Sequence, residues 1–200
     1  MYRASETGVV PADELRDAQS IMTEEQYNQE FECSFTAAVS GSYYGKLITK
    51  ADNEKRIGSL PVEEHAGVET WWDLGIGDST AIWFVQRVGE EIHVIDYYEN
   101  SGESLAHYAD VLEDKNYAYE RHIAPHDIQA RELGTGKSRL EVAQELGIDF
   151  EVAPKLEVDH GIESVRNALP HCWFDREKCK LGLDALRQYR KQWDDKNQVF

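Results

Sequence analysis

Asp73 closes the run Val68-Glu69-Thr70-Trp71-Trp72-Asp73 and stands just before Gly75 and Gly77. A carboxylate at the end of a rigid strand, with glycines leaving space beside it, suits a divalent cation and a closely approaching phosphate. Aspartate at such a point also caps a turn, so the position alone leaves both readings open. Asp127 follows Ile123-Ala124-Pro125-His126 at the end of a second extended run. If the two runs are neighbours in one sheet, the two carboxylates face each other across adjacent strand ends. They then repel unless a cation lies between them. Mg²⁺ or Mn²⁺ removes that cost, and such ions activate water and stabilise a leaving oxygen. Two unrelated loop acids are the competing reading. Asp78 lies across the Gly75-Ile76-Gly77 turn from Asp73 and would either reach the ion through water or cap the next strand. His122 and His126 are spaced like zinc ligands, but no third ligand has suitable spacing, so a surface or strand-end position is expected for both.

Gly134-Thr135-Gly136-Lys137-Ser138 imitates a phosphate-binding loop without being one. A P-loop needs glycine five positions before Gly136, where this chain has Arg131, and the segment does not follow a strand. It reads instead as a flexible loop opening a helix at Ser138. Its amides, with Arg131, Lys137 and Arg139, are then available to phosphates. Lys and Arg outnumber acids between Arg121 and Arg139 and again between Arg176 and Lys191. Local basicity beside an acidic centre is what a metal-dependent nuclease needs, although a solvated helix face accounts for the second cluster nearly as well.

The elements that must position these groups follow from pattern. Residues 68–73, 80–88 and 92–98 are rich in β-branched and aromatic residues and are separated by short turns, which predicts an antiparallel meander. A helix from Ser104, a strand over 119–124, a helix from Ser138 and a strand over 150–153 come next. Two helices follow, over about 161–169 and 181–193. Strands reached through helices predict parallel additions to the meander. The expected fold is therefore α/β, a ribonuclease H-like mixed sheet of five strands, three antiparallel and two parallel, flanked by helices. Residues 1–66 read as a helical arm or connector, with helices opening at Pro11 and Thr23 and loop signals from Gly41 through the polar run Lys50–Arg56. Residues 67–200 read as the catalytic domain.

Two hundred residues suffice for such a domain plus an arm, with no need of disulfide or metal staples. A hydrophobic fraction of 41% and five tryptophans argue against disorder. A formal net charge of −17 excludes a globally basic DNA-coating protein, though not an enzyme that acts on DNA. No apolar run is long enough to span a membrane, and the start lacks a signal peptide's apolar core. Cys33, Cys172 and Cys179 are odd in number and lack Cys-x-x-Cys spacing; a reducing, cytoplasmic setting is expected.

Trp72-Asp73-Leu74-Gly75-Ile76-Gly77-Asp78-Ser79-Thr80-Ala81-Ile82-Trp83, and Pro125-His126-Asp127 followed by Glu132-Leu133-Gly134-Thr135-Gly136-Lys137-Ser138-Arg139, resemble the nuclease domain of tailed-phage terminase large subunits. The segments around Gln29–Cys33 and from Cys172 to Asp194 are similar too. The resemblance implies a ribonuclease H-like endonuclease that cuts concatemeric double-stranded DNA during genome packaging in the host cytoplasm. It also implies Mg²⁺ or Mn²⁺ held by Asp73 and Asp127, and, as partners, a packaging ATPase domain, a portal and a small terminase subunit. Two departures bear on it. No P-loop for the ATPase is present. The family's third acid, in a Ser-His-x-x-Asp-Ala setting, has no counterpart before Phe200, since Asp175, Asp184, Asp194 and Asp195 lack that context. An excised domain, a split-gene product and a prophage remnant are all consistent with this. The alternatives to an active nuclease are a catalytically silent DNA-binding or assembly module, and another ribonuclease H-like enzyme such as a junction resolvase or transposase.

Overall fold

The computed structural model describes residues 10–21, 41–75, 79–131 and 136–190. In chain order the elements are α1 (Ala12–Ile21), α2 (Gly45–Asn53), β1 (Ile57–Gly58), β2 (Val68–Asp73), β3 (Ser79–Val88), β4 (Glu91–Ser101) and α3 (Leu105–Lys115). They continue with β5 (Tyr119–Ala124), a 3₁₀ turn (His126–Gln129), α4 (Arg139–Glu145), β6 (Phe150–Val152), α5 (Val158–Ala168), β7 (Cys172–Asp175) and α6 (Lys180–Gln188). The helix expected from Thr23 lies outside the described residues. The chain divides into two compact units, residues 1–55 with 182–200 and residues 56–181.

In the first unit, α1 begins behind Pro11, whose carbonyl accepts the Leu15 amide at 3.1 Å. Helix α2 corrects the loop expected from Lys50 onward. Its sequence is mostly polar, but Ile48 and Ala51 share one buried face while Lys46, Thr49 and Lys50 stay in solvent. That is a helical period too short to stand out from its polar flanks. Lys55, with φ of 61°, ends it in the left-handed region. Tyr44 stacks on Tyr189 with ring centroids 5.5 Å apart, and the Tyr43 amide donates to the Tyr189 carbonyl.

The second unit is built on a seven-stranded sheet in the order β1-β7-β4-β3-β2-β5-β6. The expected five strands are there: β2, β3 and β4 form the antiparallel meander, and β5 and β6 add in parallel beside β2. Two more strands extend the other edge, β7 parallel to β4 and β1 parallel to β7. Neither was legible as a strand. Ile57–Gly58 is two residues long, and Cys172–Asp175 is a four-residue run lodged between helical patterns. Buried Arg56 fastens this edge, its guanidinium donating to the carbonyls of Leu169 and Cys172 at 3.0 and 2.6 Å. Asp175 also ties it, accepting the amides of Leu60, Glu177 and Lys178.

One face of the sheet carries a large hydrophobic cluster. Trp72, Ile82, Phe84 and Ile95 pack with Tyr108 and Leu112 of α3, Ala143 of α4, and Ile128 of the 3₁₀ turn. Burying these side chains is the main stabilising term for the unit. The short α4 is held at its start by a capping box: the Ser138 hydroxyl accepts the Glu141 amide while Glu141 accepts the Ser138 amide. Cys172 and Cys179 are buried free thiols, and burial pushes the first up to about 11 and the second to about 12. Both are therefore protonated and unreactive near neutral pH.

Candidate functional site

The parallel pairing of β2 and β5 decides where the two sequence-predicted aspartates lie. Trp71 pairs with Ile123, so two residues further on Asp73 comes level with Pro125. Asp73 is the last residue of β2. Asp127 lies in the 3₁₀ turn that follows β5, two residues past Pro125. That turn is anchored beneath by fully buried Ile128, whose amide donates to the Pro125 carbonyl at 3.1 Å. Both aspartates are exposed, at the carboxyl ends of adjacent parallel strands, where open α/β sheets bind ligands. His126 sits beside Asp127 and is also exposed. Asp78 lies outside the described residues. Among the described residues, no three His, Cys, Asp or Glu side chains gather closely enough to hold one ion together.

The three predicted DNA-binding cations flank the same end. Arg131 and Ser138 form an isolated antiparallel bridge, and the Arg131 guanidinium reaches the Gly136 carbonyl at 3.4 Å. Lys137 is exposed and pairs with Glu145 at 2.5 Å. Arg139 opens α4 and lines a cavity of about 330 Å³ with Leu74, Gly75, Thr80, Ser104 and Tyr108. The cavity begins immediately after Asp73 in the chain.

His122 faces inward. Fully buried Thr70 accepts the Trp72 indole N–H at 2.7 Å, and its hydroxyl oxygen lies within hydrogen-bond distance of His122 Nδ1, 2.6 Å away. Burial pushes the imidazole below its usual 6.5, because the charged ring is disfavoured away from water.

Two groups beside Asp73 went unnoticed in the sequence. Asp73 pairs with Ala81 of β3, and Ala81 pairs with Glu99 of β4, so the two acids share a row and a sheet face across one small residue. The Tyr97 hydroxyl donates to Glu99 at 2.5 Å. Burial raises the Tyr97 phenol well above its usual range, and the charges of Glu99 and then Asp73 raise it further. On the same face Glu69 is buried and accepts from Arg121 (2.7 Å), Arg87 (2.9 Å) and the Trp71 indole (2.9 Å). Only the strand register reveals either arrangement.

No protein-family model matches the chain, and no curated protein sequence does. Solved structures do. The large terminase of the thermophilic bacteriophage D6E superposes with a TM-score of 0.58 at 16% identity, over 76% of this chain and 39% of that one. The nuclease domain of the P22 large terminase gives 0.54 at 15%, over 70% of this chain and 77% of that domain. The fold is that of a large-terminase nuclease domain. The large terminase nuclease of thermophilic phage G20c, solved with bound magnesium, gives 0.52 at 15%, over 79% and 85%. At these identities the likeness to terminase nucleases is one of fold, and this chain spans about two fifths of the D6E protein. No helix among the described residues is long and apolar enough to cross a membrane.

Proposed function

We propose that this chain is a divalent-metal-dependent endonuclease domain of the large-terminase type, acting on double-stranded DNA. The observation that carries the reading is the parallel register of β2 and β5, which sets Asp73 and Asp127 at one end of neighbouring strands. This is a terminase-like fold, and the similar G20c nuclease holds magnesium. The donors are hard carboxylate oxygens on rigid supports, which fit Mg²⁺ or Mn²⁺ and do not fit a soft metal. Asp73 and Asp127 would hold the ion, with Asp78 as a further candidate. Such an ion, when bound, lowers the pKa of water and stabilises charge on a phosphodiester.

The chain's own residues do the rest. The strand ends fix the carboxylates, and the Ile128 anchor keeps Asp127 from swinging away. Arg131, Lys137 and Arg139 hold the DNA backbone, contacts that position a duplex without reading its bases. Cleavage is therefore weakly sequence-specific. Genome packaging, and partnership with an ATPase domain, a portal and a small subunit, are part of this reading by likeness to whole terminases.

The test is plasmid cleavage in Mn²⁺. The wild-type chain is expected to nick and linearise the plasmid, and Asp73→Asn or Asp127→Asn to lower the rate at least a hundredfold. Undiminished cutting by both variants rejects the assignment. The lack of a three-ligand group among the described residues favours a second reading, a silent DNA-binding or assembly module. It expects metal-independent DNA binding and no cleavage in any divalent ion.

A further inference from the structure

Asp73, Ala81 and Glu99 form one row across β2, β3 and β4. Neighbouring strands lie about 4.8 Å apart, so the outer two backbones of the row are separated by about 10 Å. Their side chains leave the same sheet face, and in that row the small Ala81 stands between them. Glu99 is half-buried, and one of its oxygens takes the Tyr97 hydroxyl at 2.5 Å. The Tyr97 ring is itself buried and packs on Trp83 with centroids 4.4 Å apart. The carboxylate is thus oriented by a side chain that cannot easily move. Among the described residues, no three-ligand group includes Asp73 and Glu99. Mg²⁺ gives up its waters reluctantly and keeps several of them in protein sites. Carboxylates that accept from such waters tune affinity without touching the metal.

We propose that Glu99, oriented by the Tyr97 hydroxyl, is a positioning residue of the Asp73 cation site, accepting hydrogen bonds from waters the cation retains. This deepens, and rests on, the reading of Asp73 as a ligand. It assigns a role to a β4 carboxylate lying two strands from Asp73, on the side away from Asp127.

The experiment is calorimetric titration of Mn²⁺ into the full chain, paired with thermal melts in chelator. Four variants are compared: Asp73→Asn, Glu99→Gln, Tyr97→Phe, and Glu90→Gln, an exposed acid in the turn at the opposite end of β3. Glutamine keeps an acceptor for Tyr97 and removes only the charge. Glu99→Gln is expected to weaken Mn²⁺ binding about tenfold, with the chelated melting temperature unchanged or raised because a like charge near Asp73 is gone. Tyr97→Phe should weaken binding by a smaller factor, and Glu90→Gln should stay within twofold of wild type. Loss of binding in Asp73→Asn with Glu99→Gln within twofold of wild type overturns the Glu99 role and leaves the Asp73 reading standing. A melting temperature lowered by several degrees in Glu99→Gln makes Glu99 a structural strut and also overturns it. No saturable binding by the wild type, or undiminished binding by Asp73→Asn, overturns the Asp73 reading itself.

Discussion

A glutamate with only 3% of its side chain exposed needs its charge matched, and Glu69 has three donors for the purpose. Burial raises its carboxyl, but the hydrogen bonds from Arg121, Trp71 and Arg87 outweigh that and hold it below the usual 4.5. The arginines are themselves 35% and 53% exposed, so water screens part of the interaction. Glu69→Gln is therefore expected to cost about 2 kcal/mol at neutral pH, less than the loss of one partner from a wholly buried pair. The pH dependence has a definite sign. Because the folded carboxyl has the lower pKa, the unfolded chain binds more protons between that value and 4.5, and stability falls as pH falls through this window. Urea unfolding of wild type and Glu69→Gln should differ at neutral pH and converge once the folded carboxyl is protonated. A difference that persists unchanged into acid would show that packing, not charge, sets the cost. The contrast with Asp73 is instructive: Glu69 is buried among cations as a structural anion, whereas Asp73 sits exposed at the end of the same strand.

At the scale of elements, the β2–β5 pairing on which the site depends begins with a close backbone approach. The register slips by one residue between Val68 and Glu69. Just before it, a Cβ on Gly67 would lie 2.6 Å from the Glu120 Cβ and 2.8 Å from its Oε2. The nearer atom belongs to a side-chain root and cannot rotate away. Gly67→Ala is thus expected to cost about 2 kcal/mol by overpacking and to lower the cleavage rate by displacing β5 and its Asp127 turn. Gly58→Ala, where nothing lies within 4 Å, serves as the neutral comparison in the same denaturation series. The strand-end places of the two aspartates were legible in the sequence because chain-breaking residues mark such ends: Gly75 and Gly77 after Asp73, Pro125 before Asp127. Ser138 was legible as a helix start because capping chemistry is local. Glu99 was not, since its neighbour across the sheet depends on how β3 and β4 align, and that alignment includes a bulge between Phe84 and Val85. Strands β1 and β7 escaped for a related reason: each is too short to show alternation, and their pairing joins residues more than a hundred positions apart.

For the molecule as a whole, a charge of −17 opposes any approach to DNA, so the proposed duplex contact must come from few cations acting at short range. Arg131, Lys137 and Arg139 are the cations proposed to make it. Lys137 is exposed and paired with an exposed glutamate, an ion pair worth only about 0–1 kcal/mol and easily exchanged for a phosphate. Three phosphate contacts release about 0.9 counterion each, so log K against log[salt] should fall with a slope of about −2.7. The acidic remainder of the surface makes the slope shallower still. Added salt screens its repulsion beyond a Debye length, about 10 Å at 0.1 M, and so favours approach while it weakens the direct contacts. Fluorescence anisotropy of a labelled duplex with the Asp73→Asn chain would measure this, and replacing all three cations by glutamine should bring the slope near zero. A slope twice as steep would mean that another basic surface, such as the run from Arg176 to Arg190, carries the DNA. The Asp73–Asp127 end would then keep its carboxylates without being the place where the duplex is gripped.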